Sequence, residues 1–292
     1  GYGVCLRANA PSHGGSNVIK RTLVARRENR FWLDEPLDKN FWTDYQAQIA
    51  TLFPILTGEH IHNLEIRDLV LDGNRSQNQH LDGNYAGCIF LQNCQGIHIE
   101  NVETRNYNGD GISWQVCHDV TVINCLSVNN ADLGLHPGSG SLRPIIRQNH
   151  LEGNRIGLFF CWGVKHGIAE NNRICNNRQF GISIGHRDTD NIIRKNRIEK
   201  SGEVGVIFRN EPNEGRCPHH NLLENNQIIN SGEIGIDIQG ETRSIMLLRN
   251  QIIETRKPAQ HIGLQIGEKV TELTLEKNTF PGLEIETNDL RS

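Results

Sequence analysis

The 292-residue sequence has no surplus of positive charge: 30 Lys and Arg stand against 34 Asp and Glu, for a net charge of −4. That balance excludes a basic field of the kind that gathers nucleic acid. Long apolar runs are missing too. The longest, near Ile49 to Leu56, is too short and interrupted to span a bilayer. Methionine occurs once, at Met246, and the chain begins Gly-Tyr, so the start is read as processed or trimmed, with any targeting peptide lost to view. The eight cysteines form no CxxC or zinc spacing. A chain of this length can bury a sizeable core and needs no disulfide staples, so most are expected as buried thiols.

What is abundant is Asn, with 32 copies, and Gly, with 29. Both tolerate left-handed turns, which predicts a chain that turns often and regularly. Residues 1–56 show no repeat, although Val18 to Leu33 can supply strands. From Thr57 the register becomes strict. Segments starting at Gly111, Gly134, Gly157, Gly181, Gly205, Gly235 and Gly263 read GISWQ, GLHPG, GLFFC, GISIG, GVIFR, GIDIQ and GLQIG, at spacings of 23, 23, 24, 24, 30 and 28 residues. Cys88 to Gln92 aligns one unit earlier. A second ladder follows Asn101, Asn124, Asn149, Asn172, Asn196, Asn226, Asn250 and Asn278, each after a short β-like run.

Three short β-runs per period, separated by Gly or Asn turns, describe one coil of a parallel β-helix, with apolar side chains stacked inside and asparagines stacked along a turn. A leucine-rich repeat shares the period but needs a leucine framework and helical arc that are absent. The two long intervals place insertions at 210–220 and 255–260. The expected organisation is an N-terminal irregular or β segment over 1–56 that caps or starts the solenoid, a parallel β-helix over 57–280, and a C-terminal tail over 281–292.

Side chains alternate along a strand, so positions one and three after each ladder glycine share one face. Position one (Ile112, Leu135, Leu158, Ile182, Val206, Ile236, Leu264) is uniformly apolar and therefore interior. Positions two and four then face outward. Position four is small at Gly138, Cys161 and Gly185, between the long Gln115 and Arg209, which predicts a low floor roughly 14 Å long at ~4.8 Å per coil. Beside it stand His136, Phe159 and Ser183; Asp110 precedes a strand, and Trp162, His186, Arg187 and Asp188 follow strand ends. Aromatic rings beside hydrogen-bonding groups suit a carbohydrate, whose rings have apolar faces and polar rims. Asp110, His136, His186, Arg187, Asp188 and Arg209 are the candidate catalytic residues. Gln92, Gln115, Phe159, Trp162, Ser183, Glu211, Asp237 and Gln239 are the candidate substrate contacts. A merely solvated sheet face is the alternative.

The coil pattern resembles the right-handed parallel β-helix superfamily of pectate lyases and polygalacturonases over roughly residues 57–280. Asn108 to Ile112 is similar to their NTDGI segment, with Asp110 at the catalytic aspartate, and Gly181 to Gly185 is similar to their GLSIG piece, although Phe180 replaces the histidine before it. The resemblance implies an all-β fold, a single-stranded right-handed parallel β-helix of about nine or more coils, and a secreted or periplasmic enzyme acting on a polysaccharide.

Hydrolysis would draw its carboxylates from Asp110, Asp132, Asp188 and Asp237; a lyase or C5-epimerase would use His136, His186, Arg187 and Arg209. The prevalence of Arg and His favours an acidic, uronic-acid-containing polymer, with glycoside hydrolysis slightly preferred and a lyase or C5-epimerase as the alternative. A non-catalytic glycan-binding or structural rod is the competing class. The polysaccharide is the expected partner, with neither nucleic acid nor membrane, and the oligomeric state stays open. No metal ligand set is legible, and no cofactor is implied beyond calcium in the lyase case. Cys217, His219 and His220 in the first insertion read as loop polarity rather than a metal site, and Cys94 with Cys117 as stacked thiols.

Overall fold

The computed structural model describes residues 2–10, 16–51, 54–78, 87–257 and 261–291. The described residues fall into two compact units, one up to Pro54 and one from Ile55 onward. In the first, Tyr2–Asn9 lies between Ser16–Arg27 and Gln48–Thr51 in an antiparallel sheet, and Arg30–Leu33 completes the order on the far side of Ser16–Arg27.

The second unit is wound from three parallel sheets of ten, nine and eight strands. Each coil gives one strand to each sheet in turn. One coil consists of Asp110–Gln115, His118–Ile123 and Leu126–Val128, and the next of Leu133–Gly138, Ile145–Arg147 and His150–Glu152. Eight coils are complete, a ninth has two strands, and Ile285–Asp289 opens another by pairing with Ile262–Ile266. This last strand falls within the stretch read from sequence as a tail. The predicted register holds along the ten-stranded sheet: Ile112, Leu135, Leu158, Ile182, Val206, Ile236 and Leu264 are successive cross-strand partners, and all belong to the buried core.

The ladder glycines serve a different purpose from the left-handed turns inferred above. None has a positive φ. A Cβ on Gly134 would lie 2.5 Å from the carbonyl oxygen of Gly157, and one on Gly181 would lie 2.6 Å from that of Gly205. The coils approach too closely at this point for any side chain. Left-handed conformations recur instead at coil corners, one series before the third strand at Asn101, Asn124, Gln148, Asn171, Lys195, Asn225 and Arg249 and another after it at Asn106, Asn129, Asn176, Lys200 and Asn230.

The asparagine ladder is real but starts later than the spacing suggests. Asn149, Asn172, Asn196, Asn226, Asn250 and Asn278 each present Oδ1 to the backbone N–H one coil before. Each of the first five also donates Nδ2 to the Oδ1 of the next. Asn101 and Asn124 occupy the corner one residue earlier, where the Asn124 side chain donates to Asn101 Oδ1 and the Asn101 side chain donates to Asp68. Val102 and Cys125 hold their coils' ladder positions, both buried. A second ladder, Asn130–Asn154–Asn177, stacks at another corner. All eight cysteines are free, and Cys94 and Cys117 stack with the Cys94 N–H donated to Cys117 Sγ at 3.3 Å. Among the described residues no helix is long and apolar enough to cross a membrane.

Candidate active site

The outward face of the ten-stranded sheet holds most of the candidates, because alternation leaves no other side for positions two and four. At its centre Asp110 and His136 form a buried pair on adjacent strands. Asp110 Oδ2 lies 2.8 Å from His136 Nδ1, and Oδ1 accepts the Leu133 N–H at 3.1 Å. Ser113, cross-strand from His136, brings its hydroxyl to 3.3 Å from the same ring nitrogen. A carboxylate at Nδ1 assigns the proton to that nitrogen and leaves the Nε2 lone pair available. His136 is only 3 % exposed, and its Nε2 has no hydrogen-bond partner among the described residues.

The same holds for both ends of the Gln115 amide. Buried polar atoms without partners are uncommon in folded proteins. Three of them lie on two neighbouring strands of one face. Asp132 stands close by, bonded to Arg155 Nε at 2.5 Å; burial and the charge of Asp110 push its carboxyl up, while Arg155 opposes the shift.

Phe159 links this pair to a second cluster. Its ring meets His136 edge-on at 5.4 Å, and the Arg209 guanidinium lies 4.5 Å above the same ring. Arg209 donates to Ser183 Oγ at 2.8 Å and to the Phe160 carbonyl at 3.1 Å, and pairs with Glu211 at 3.4 Å. Glu211 also accepts the His186 N–H at 2.8 Å and faces His186 Nδ1 at 3.2 Å. His186 stacks on Trp162 at 4.5 Å and 13°. Trp162, 55 % exposed, offers solvent the large apolar surface of this cluster.

Three expectations change. The open floor is filled: Gln115 lies over Gly138 and Arg209 over Gly185, so that a Cβ on either glycine would come within 2.3 Å of those side chains. The small residues make room for their neighbours' long side chains, not for sugar rings. Asp188 is not placed to touch substrate. It is fully buried, accepts the N–H groups of Gly163, Val164 and Gly185, each at 2.9 Å, and lies 3.6 Å from Arg209. Burial pushes its carboxyl up to about 7, against Arg209 and these N–H groups. Arg187 turns outward, with left-handed φ and its N–H given to the Arg216 carbonyl.

Gln92 precedes Gln115 in register. Asp237 and Gln239 are not brought to the dyad. They bond to each other at 2.5 Å and, with Gln265 and Asn210, line a separate cavity of about 360 Å³. In the insertion, both ring nitrogens of His219 are engaged, by the Glu214 carbonyl and the Arg243 N–H. Ser113 and Gln115 share the dyad's strand pair, but Ser113 was singled out by nothing beyond its outward position.

Residues 87–217 match the family model described as the right handed beta helix region. The solenoid is thus a right-handed parallel β-helix. Among solved structures, a surface adhesin of Streptococcus pneumoniae, PfbA, is similar with a TM-score of 0.60 at 12 % identity, over 81 % of this chain and 73 % of that one. The A-module of the Azotobacter vinelandii mannuronan C-5 epimerase AlgE6 gives 0.58 at 15 %, over 80 % and 75 %. The enzymatically active domain of bacteriophage CBA120 tailspike protein 2 gives 0.52 at 9 %, over 77 % and 38 %. No curated protein matches the chain significantly in sequence. At these identities the likeness is one of fold.

Proposed function

We propose that the protein is a polysaccharide-modifying enzyme, secreted or periplasmic, in which His136 abstracts a proton from the carbon adjacent to the carboxylate of a uronic-acid residue. The observation that carries this reading is the Asp110–His136 pair with its unpartnered, buried Nε2. A carboxylate that orients a neutral imidazole makes a general base, and such proton transfer contributes typically 10²–10⁴-fold. Hydrolysis by two carboxylates fits less well, since Asp110 is committed to His136 and the Leu133 N–H, and Asp132 to Arg155. Arg209, held over the Phe159 ring that meets His136, would offset the substrate carboxylate. Trp162 would stack on a sugar ring. With Nε2 closed off, substrate entry must displace side chains around it. The described similarity to a mannuronan C-5 epimerase module supports a uronate polymer as the class.

Abstraction leads either to β-elimination, with an unsaturated product, or to reprotonation on the other face. Incubation of uronate polymers with the protein in D₂O separates these outcomes. Deuterium entering C5 with chain length kept indicates epimerisation; an unsaturated chain end indicates a lyase. New reducing ends without either signal would replace the reading with hydrolysis. A second reading, a non-catalytic glycan binder, draws on the exposed Trp162 and the described adhesin likeness; binding of the uronate polymers without any turnover would establish it.

A further inference from the structure

The eight-stranded sheet carries a cluster that the proposed chemistry does not use. Strand His150–Glu152 pairs with Arg173–Cys175 of the next coil, with His150 opposite Arg173 and Glu152 opposite Cys175. Leu151 and Ile174, between them in sequence, point into the core, so alternation turns His150, Glu152 and Cys175 to the other side. There His150 Nε2 lies 2.8 Å from Glu152 Oε2 and 3.4 Å from Cys175 Sγ. All three ligand atoms fall within 4.8 Å of one another. Glu152 is further oriented by Asn176, which donates to its second oxygen at 2.9 Å.

We propose that His150, Glu152 and Cys175 form a binding site for a borderline-soft divalent transition-metal ion, zinc in the first instance. One imidazole nitrogen, one carboxylate and one sulfur are the ligand types zinc takes, at about 2.0–2.3 Å each. Tetrahedral bonds of those lengths put ligand atoms about 3.3–3.6 Å apart, so the His–Cys separation already fits and the His–Glu contact must open by a small amount. A single ring nitrogen cannot satisfy both neighbours with one proton, whereas a cation satisfies all three donors at once. The nitrogen and sulfur ligands disfavour calcium and magnesium, which prefer all-oxygen shells. Arg173, which is exposed, bonds the Cys175 thiol and acts on Glu152, and also lies 3.8 Å from Glu199, so metal binding requires it to leave the thiol for Glu199. Binding displaces the Cys175 thiol proton to solvent and leaves the fourth position to water. The ion would join two successive coils, on a different sheet from the dyad.

The test is equilibrium dialysis of the chelator-stripped full chain against Zn²⁺, followed by Co²⁺ absorption spectroscopy. One ion per chain is expected, with at least tenfold weaker binding in both Cys175→Ser and the surface variant Glu152→Gln. A thiolate-to-cobalt charge-transfer band should appear and vanish in Cys175→Ser. Absence of a stoichiometric ion, or a band and affinity that survive both substitutions, would overturn the proposal. Turnover on polysaccharide plays no part in either readout, so the two proposals fail separately.

Discussion

Asp188 shows how an acidic residue beside a candidate site can be devoted to the backbone. Its carboxylate ties the turn after Gly181–Gly185 to the one in the preceding coil through three N–H groups, and burial raises its protonation range to about 7 from an ordinary 3.8. A carboxyl raised in the folded state adds stability that is complete below the unfolded value and lost as pH rises toward the folded one. Asp188→Asn removes that titration. Paired thermal melts should therefore show wild type losing ground to the variant between about pH 4 and pH 7; a constant difference in Tm across that range would contradict the assignment. Arg209 is the complementary case. It serves Ser183, Phe160, Glu211 and Phe159 together, a geometry that a lysine ammonium cannot reproduce. Arg209→Lys should lower kcat/KM on a uronate polymer by at least tenfold while the fold is kept, as measured by steady-state kinetics beside circular dichroism.

At the level of single strands and corners, the stacked asparagines have a predictable energetic effect. Asn172 accepts from the N–H and side chain of Asn149 and donates to Ile146 and Asn196. Asn172→Leu leaves a buried N–H without a partner and should cost about 1–3 kcal/mol, seen as a lowered denaturation midpoint; an unchanged midpoint would argue against the ladder as a stabilising device. Gly185→Ala tests the contact with Arg209, since the added Cβ collides with the guanidinium. Activity should fall with little loss of Tm, because the guanidinium ends a flexible side chain that can swing aside.

These elements also show what sequence periodicity carries. The Gly-apolar repeat located the core column residue for residue, because every coil buries the same position. It misread the ladder glycines as turn residues, since close approach to the next coil's carbonyl leaves the same sequence mark. The site was half legible. Alternation placed His136, Phe159 and Arg209 on the outward face, whereas Asp110 was singled out by the similarity of Asn108 to Ile112 to a known catalytic segment. How long side chains fold over Gly138 and Gly185, and which carboxylate serves the backbone, depends on rotamers that no spacing encodes. His150, Glu152 and Cys175 were invisible as a group because coil stacking, not sequence proximity, assembles them.

For the solenoid unit as a whole, each coil is stabilised by its neighbours on both sides, and the end coils by one. Among the described residues, Ile285–Asp289 pairs only with Ile262–Ile266, whereas strands such as Phe180–Ile184 are paired on both edges. Hydrogen exchange should be slowest in the middle coils and fastest at the C-terminal strand; uniform protection would mean that the coils do not open from this end. Such a scaffold holds Asp110 and His136 on two adjacent strands of one sheet, fixed by backbone pairing rather than by a loop. The decisive measurement is the rate of C5–H exchange or elimination on a uronate polymer by wild type and by His136→Gln, with folding of both checked by circular dichroism. The account predicts turnover in wild type and a fall of at least about 100-fold in the variant. Equal rates in the two proteins would contradict it.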